Sequence, residues 1–150
     1  MTRVFFFHDA TDKLAHICEL VRQAWDARQP VLLYAPEPRA AQTVDRLLWT
    51  RPSTSFVPHC HASSPLAAAT PIVLTDDLQA PPQTVRLINM GEQPAPDFAK
   101  FQTLVEVVGL TDADRGAARQ RAKAYKAAGC ELNFIDLQGD AATAQGVQWL

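Results

Sequence analysis

The feature that most constrains this chain is an alternation of short, continuously apolar runs with longer stretches of helical periodicity. Residues 3–7 (RVFFF) and 31–34 (VLLY) are too short for helices and apolar at consecutive positions, the pattern of strands buried on both faces. Between them, residues 12–28 place Leu14, Ile17, Cys18, Val21, Ala24 and Trp25 at helical spacing, which predicts a helix with one apolar face. Pro38 suits a first helical turn, and Ala41, Val44, Leu47 and Leu48 continue a second helix toward Trp49. Residues 51–65, rich in Pro, Ser and Thr, read as an irregular loop or edge segment. Further strands are expected at 72–74, 85–90 and 104–108, a helical turn within 94–101, and a short edge strand at 131–137. This rhythm predicts an α/β domain with a largely parallel sheet and helices packed on its faces. The 150 residues suffice for a single domain, with about 138–150 expected to be a loose C-terminal tail.

The best-specified element is the helix expected over 111–129. Thr111 with Asp114 three residues on is a capping-box pattern. Asp112 and Asp114 suit the positive end of the helix dipole, and Lys123 and Lys126 the negative end. Gly129 is a natural stop. At about 100° per residue, Arg115, Arg119, Lys123 and Lys126 share a stripe roughly 80° wide, with no acid among them to offer an i, i+4 partner. Such a stripe is either a solvated face or a surface for carboxylates or phosphates. Arg121 projects toward the apolar side, so its stem is expected to be buried and its guanidinium paired or extended to water.

Composition narrows the function. A formal net charge of −2 argues against a nucleic-acid binder, which normally carries a basic excess, so the stripe calls for a local anionic partner such as a short acidic peptide. No apolar run approaches a membrane span, and the N-terminus lacks a signal-peptide pattern, so a cytoplasmic location is expected. Cys18, Cys60 and Cys130 are odd in number and dispersed, which suits a reducing compartment. The turn after the first strand, residues 8–13, has no glycine and carries two acids, unlike a phosphate-binding turn. His59-Cys60-His61 has zinc-ligating side chains, but adjacent residues rarely supply three vertices of one tetrahedron, so no metal is expected. The acids Asp76 and Asp77 are neighbours at a strand end rather than a facing catalytic pair. No catalytic residue and no cofactor are assigned.

Two stretches carry a resemblance. Leu48-Trp49-Thr50-Arg51-Pro52 followed by Ser55-Phe56-Val57-Pro58-His59 resembles the signature of the chi subunit of bacterial DNA polymerase III. Glu106-Val107-Val108, Arg119, Lys123-Ala124-Tyr125-Lys126, Ala128-Gly129 and Leu132-Asn133 follow in the family's order, so the likeness covers about residues 1–137. It implies a Rossmann-like three-layer fold without a phosphate-binding glycine loop, and an accessory subunit without its own active site. It also implies two protein partners and only indirect contact with DNA. One is the psi subunit of the clamp-loader complex, met by Trp49, Arg51, Pro52, Phe56, Val57 and Pro58. The other is the acidic C-terminal tail of single-stranded DNA-binding protein, met by Arg115, Arg119, Lys123, Tyr125, Lys126 and Val108, with Leu110 or Leu132 as further apolar floor. Ala122 and Cys130 depart from aromatic positions of better-known members. The competing reading is a nucleotide-dependent or hydrolytic enzyme on the same scaffold.

Overall fold

Three consecutive phenylalanines, Phe5, Phe6 and Phe7, are all buried, and because alternate strand residues face opposite ways they commit the sheet to cover on both sides. The computed structural model describes residues 1–50, 58–67, 70–139 and 149–150. The elements are β1 (Arg3–His8), α1 (Lys13–Asp26), β2 (Val31–Tyr34), α2 (Pro38–Thr50), β3 (Cys60–His61), β4 (Ile72–Thr75) and β5 (Arg86–Asn89). A single 3-10 turn (Phe98–Lys100), β6 (Thr103–Val107), α3 (Asp112–Ala127) and β7 (Glu131–Asp136) complete them. Among the described residues the strands form one seven-stranded parallel sheet in the order β3-β4-β2-β5-β6-β1-β7.

Phe5, Phe7, Leu33 and Val105 pack with Ile17, Leu20 and Val21 of α1 and Val44 and Leu48 of α2. Val4, Phe6, Leu32 and Leu104 face the other way, against Ala118 and Tyr125 of α3 and Phe101. The result is the Rossmann-like three-layer fold that the resemblance implied, with the parallel sheet and helix-covered faces that the alternation implied. Each buried Phe or Leu contributes roughly 1.5–3 kcal/mol relative to exposure, so the two faces together outweigh any single polar contact in holding the layers.

Local signals set the helix ends. Asp12 caps α1, its Oδ1 accepting from the Ala15 amide at 3.1 Å, and Thr111 caps α3 by accepting from the Asp114 amide at 3.1 Å. Past α3, Gly129 takes φ 86°, a left-handed conformation that side chains disfavour.

The topology has one consequence for function. From β1 the chain leaves through α1 toward β2, whereas from β6 it leaves through α3, on the opposite face, across β1 to β7. The carboxyl ends of β1 and β6 therefore form a topological switch point, where crevices open in folds of this kind.

Two expectations need correction. Of the irregular loop or edge segment read at residues 51–65, the loop alternative falls at Cys60–His61, which form the short strand β3 at the sheet edge beside β4. The run is too short for periodicity to reveal, and pairing with β4 is what makes it a strand. The chain end is not loose at Trp149, although residues 140–148 lie outside the described ones. The Trp149 indole is buried in the α1-side core. Its Nε1 donates to Gln23 Oε1 at 3.2 Å, and its carbonyl accepts from the buried Arg86 Nε at 3.1 Å. One large aromatic outweighs the small, polar composition of the segment leading to it. Trp149→Ala is expected to lower unfolding stability by about 3–5 kcal/mol, read as a lower urea midpoint with an unchanged slope. An unchanged midpoint would mean that the indole does not dock in solution.

Candidate functional site

The rotation of α3 is set from inside. Arg121 is 1% exposed, and its Nε donates to Glu106 Oε1 of β6 at 3.0 Å while Nη1 donates to the Glu92 carbonyl at 3.1 Å. The Tyr125 hydroxyl donates to Glu106 Oε2, which also accepts from Asn89 Nδ2 at 2.8 Å. Burial pushes the Glu106 carboxyl up, with Arg121, Tyr125 and Asn89 pulling it back, and burial together with Glu106 pushes the Tyr125 phenol up. With Arg121 and Tyr125 turned inward, the geometry of 100° per residue turns Arg115, Arg119 and Lys123 toward the side that faces β7.

There they border a groove of about 540 Å³ lined by Phe6, His8, Asp9, Val108, Ala118, Ala122 and Phe134 as well as the three cations. Phe134, on edge strand β7, is 60% exposed, and its ring stacks on that of Phe6 with centroids 5.3 Å apart and planes 19° apart. Ala118 and Ala122 are small, and the Phe134 ring stays open to solvent over the buried Phe6. Arg115 is paired, its Nη2 lying 2.9 Å from Asp9 Oδ1. Arg119 and Lys123 are exposed, and no ion pair joins either to an acid among the described residues. A cationic rim over an apolar floor suits a ligand carrying both anionic and aromatic or aliphatic groups.

The switch point itself is filled by the protein's own carboxylates. Asp12 stands at the N-terminus of α1, and Asp114 at that of α3 accepts from the Gly109 amide at 2.6 Å and lies 3.1 Å from Lys13 Nζ. Burial works to raise the Asp114 carboxyl, but the Gly109 amide and the Lys13 ammonium outweigh it and hold it below the usual range. Asp9 has φ 61°, a left-handed backbone uncommon outside glycine, although asparagine and aspartate adopt it more readily than other residues. His8 first, through Nδ1 2.8 Å from Asp9 Oδ2, and then Arg115 hold the Asp9 carboxyl below its ordinary value. His8, Asp9 and Asp136 bring potential metal-ligating atoms within 4.8 Å of one another, but Asp9 already has one oxygen on Arg115 and the other on His8.

Of the residues assigned to the tail surface, Arg115, Arg119, Lys123 and Val108 meet at this groove, and Tyr125 and Lys126 do not line it. Tyr125 is fully buried beneath α3 with its hydroxyl on Glu106, so it supports the groove instead of holding a ligand ring. Lys126 shares the cationic stripe but lies about 4.5 Å further along the helix axis than Lys123, given the rise per residue. Leu110 is exposed outside the lining, and Leu132 packs into the core. Phe6, His8, Asp9, Ala118 and Phe134 were not foreseen there. For Phe134 the one sequence signal was the alternation in ELNFID, and it does not say which apolar residue of an edge strand faces water. Of the other surface, Trp49 closes α2 with its ring 61% exposed and edge-on to His59 at 5.9 Å. Pro58 is half-buried beside it in sequence, and Arg51, Pro52, Phe56 and Val57 lie outside the described residues.

Fold and site together define a Rossmann-like α/β domain whose helix N-termini hold protein carboxylates where nucleotide-binding relatives of the architecture hold phosphate. The family model described as DNA polymerase III chi subunit, HolC, matches residues 1–133. DNA polymerase III subunit chi of Escherichia coli is 30% identical over 118 residues, covering 78% of this chain and 80% of the relative. The subunit of the same name from Pseudomonas aeruginosa is 32% identical over 139 residues, covering 88% and 94%, and that of Haemophilus influenzae 30% over 121 residues, covering 77% and 81%. The chain belongs to the chi-subunit family of DNA polymerase III, accessory subunits of the replicative holoenzyme. No described helix is long and apolar enough to cross a membrane.

Two measurements probe this scaffold. Arg121→Met strands Glu106 and is expected to destabilise by about 3–5 kcal/mol, with most of the loss restored by adding Glu106→Gln; urea melts of the single and double variants decide it. Asp114 loses proton affinity on folding, so it contributes stability above the unfolded aspartate value of about 3.9 and loses it as pH falls through its lower folded value. Thermal melts of Asp114→Asn should therefore show a shallower decline in acid than the parent chain, beside a loss of about 1 kcal/mol at neutral pH.

Proposed function

We propose that this chain is a non-catalytic connector within the replicase, docking the acidic C-terminal tail of single-stranded DNA-binding protein in the groove and the psi subunit on the Trp49 surface. The observation that carries it is the convergence of Arg115, Arg119 and Lys123 on one rim above the stacked Phe6–Phe134 floor. Tail aspartates would lie against Arg119 and Lys123, and the terminal Phe ring against Phe134 and Val108, with Arg able to hold a carboxylate through two N–H groups. Phe134 then supplies an aromatic wall that Ala122 lacks. Trp49, large and exposed on the last turn of α2, has the character of an interface anchor. The enzyme reading has less support, since a mononucleotide at the switch point would meet Asp9, Asp12 and Asp114 in place of backbone amides.

Magnitudes set the strength of docking. Exposed ion pairs contribute roughly 0–1 kcal/mol each, one buried ring roughly 1.5–3 kcal/mol, and ordering a flexible tail opposes both. Tail affinity should be on the order of micromolar and should weaken with salt. In calorimetry with a tail peptide, Arg119→Ala is expected to weaken binding about fivefold, and Phe134→Ala about tenfold or more. Affinity indifferent to both variants would sink the groove assignment. In pull-downs with psi, Trp49→Ala should abolish co-purification while leaving tail binding intact; loss of neither, or of both, would count against two separate surfaces.

A further inference from the structure

The groove's cationic rim is partly occupied by the protein itself. Asp9 Oδ1 lies 2.9 Å from Arg115 Nη2, and both residues line the groove. The acid is not a loose surface charge. His8 Nδ1 engages its other oxygen at 2.8 Å, its carbonyl accepts from Gln138 Nε2 at 2.9 Å, and its backbone sits at φ 61°. Asp136 brings a second carboxylate to within 4.8 Å of this group. An incoming anion thus meets three cations and the Asp9 carboxylate in the groove's lining, and Asp9 makes the same contact with Arg115 that a ligand carboxylate would make.

We propose that Asp9 is an internal competitor for Arg115, occupying its guanidinium in the unliganded chain, so that an acidic ligand must share or displace it. This rests on the groove's being an acidic-peptide site. It assigns unequal parts to the three cations: Arg119 and Lys123 meet the ligand directly, whereas the contribution of Arg115 is held back by Asp9. A ligand with a lone carboxylate gains little by replacing Asp9 at Arg115, because one ion pair is exchanged for another. A ligand with several acids also reaches Arg119 and Lys123, so the device favours a polyacidic segment over a single chain end. Releasing Arg115 adds one exposed ion pair to those the ligand makes, enough to change an affinity roughly two- to fivefold, and that is the size of effect to expect.

The test is a double-mutant cycle on Asp9 and Arg115, titrated with an aspartate-rich peptide that ends in a free phenylalanine carboxylate. Asparagine is the replacement for Asp9, because it removes the charge, keeps a hydrogen-bonding side chain and tolerates the left-handed backbone. Asp9→Asn should tighten binding roughly two- to fivefold, and the gain should vanish when Arg115 is also replaced by Ala, since no guanidinium remains to be released. Equal or weaker binding by Asp9→Asn overturns the proposal and makes Asp9 a splint for Arg115. A gain that persists in the Arg115→Ala background overturns it too, because that is general repulsion instead of competition. Arg119→Ala, run alongside, separates the two claims. If the parent chain binds and Arg119→Ala weakens it while Asp9→Asn does not tighten it, only the competitor role fails; if the parent chain does not bind the peptide, both fail.

Discussion

The buried pairing of Arg121 with Glu106 is the constraint on which the surface of this protein turns. A guanidinium and a carboxylate withdrawn from water are tolerated only where geometry and hydrogen bonding compensate their desolvation. Here Tyr125, Asn89 and the Glu92 carbonyl complete the set. Such a network gains less in stability than an apolar core of equal volume would, but it admits one rotation of α3 about its axis. A slip of one residue would turn a neighbouring side chain inward and leave Glu106 alone. Because that rotation is fixed, the outward residues are fixed too, and Arg115, Arg119 and Lys123 follow at successive turns along one rim.

The same helix closes the site that this architecture usually opens. In a doubly wound sheet the helix N-termini at the switch point attract anions. In this chain Asp12 and Asp114 meet that demand internally, Asp114 through the Gly109 amide, with Lys13 tying α1 to α3 across the crevice. The proposed binding surface is displaced sideways, to the groove on the flank of α3 beside β1 and β7. In the proposed role, side-chain charges and the exposed face of Phe134, instead of helix dipoles, select the ligand there.

What could be read from sequence divides along a physical line. The strands of residues 3–7, 31–34 and 72–74, the cap Thr111 and the stop at Gly129 are local, set by periodicity and by groups three or four residues apart. The inward turn of Arg121 was legible for the same reason. β3 was not, since two residues become a strand only by pairing with β4. Trp149 was hidden because its partners Gln23 and Arg86 lie far away in the chain. In the groove the cations were legible, being on one helix, but the floor and the Asp9 contact come from β1 and β7 and depend on how α3 crosses them. Tyr125 was misplaced for a related reason: a phenol on an amphipathic helix can serve a surface or a core, and only Glu106, from β6, decides between them.

The weak binding proposed at the groove is what its construction would give, and it fits a connector better than a permanent joint. The groove is shallow, its free cations are solvated, and one of its three cations already has a partner. A subunit that must hold a moving assembly to a protein-coated strand gains nothing from a tight single contact, because a slow off-rate would oppose movement. When several identical tails lie within reach of one tethered subunit, each release is followed by rebinding at a high effective concentration. Persistence then comes from the number and spacing of tails, and exchange from the weakness of each contact. For the proposed role, an affinity limited by solvated charges and an internal acid is therefore an adaptation of the site to repeated capture, and a deeper, drier pocket would serve it worse.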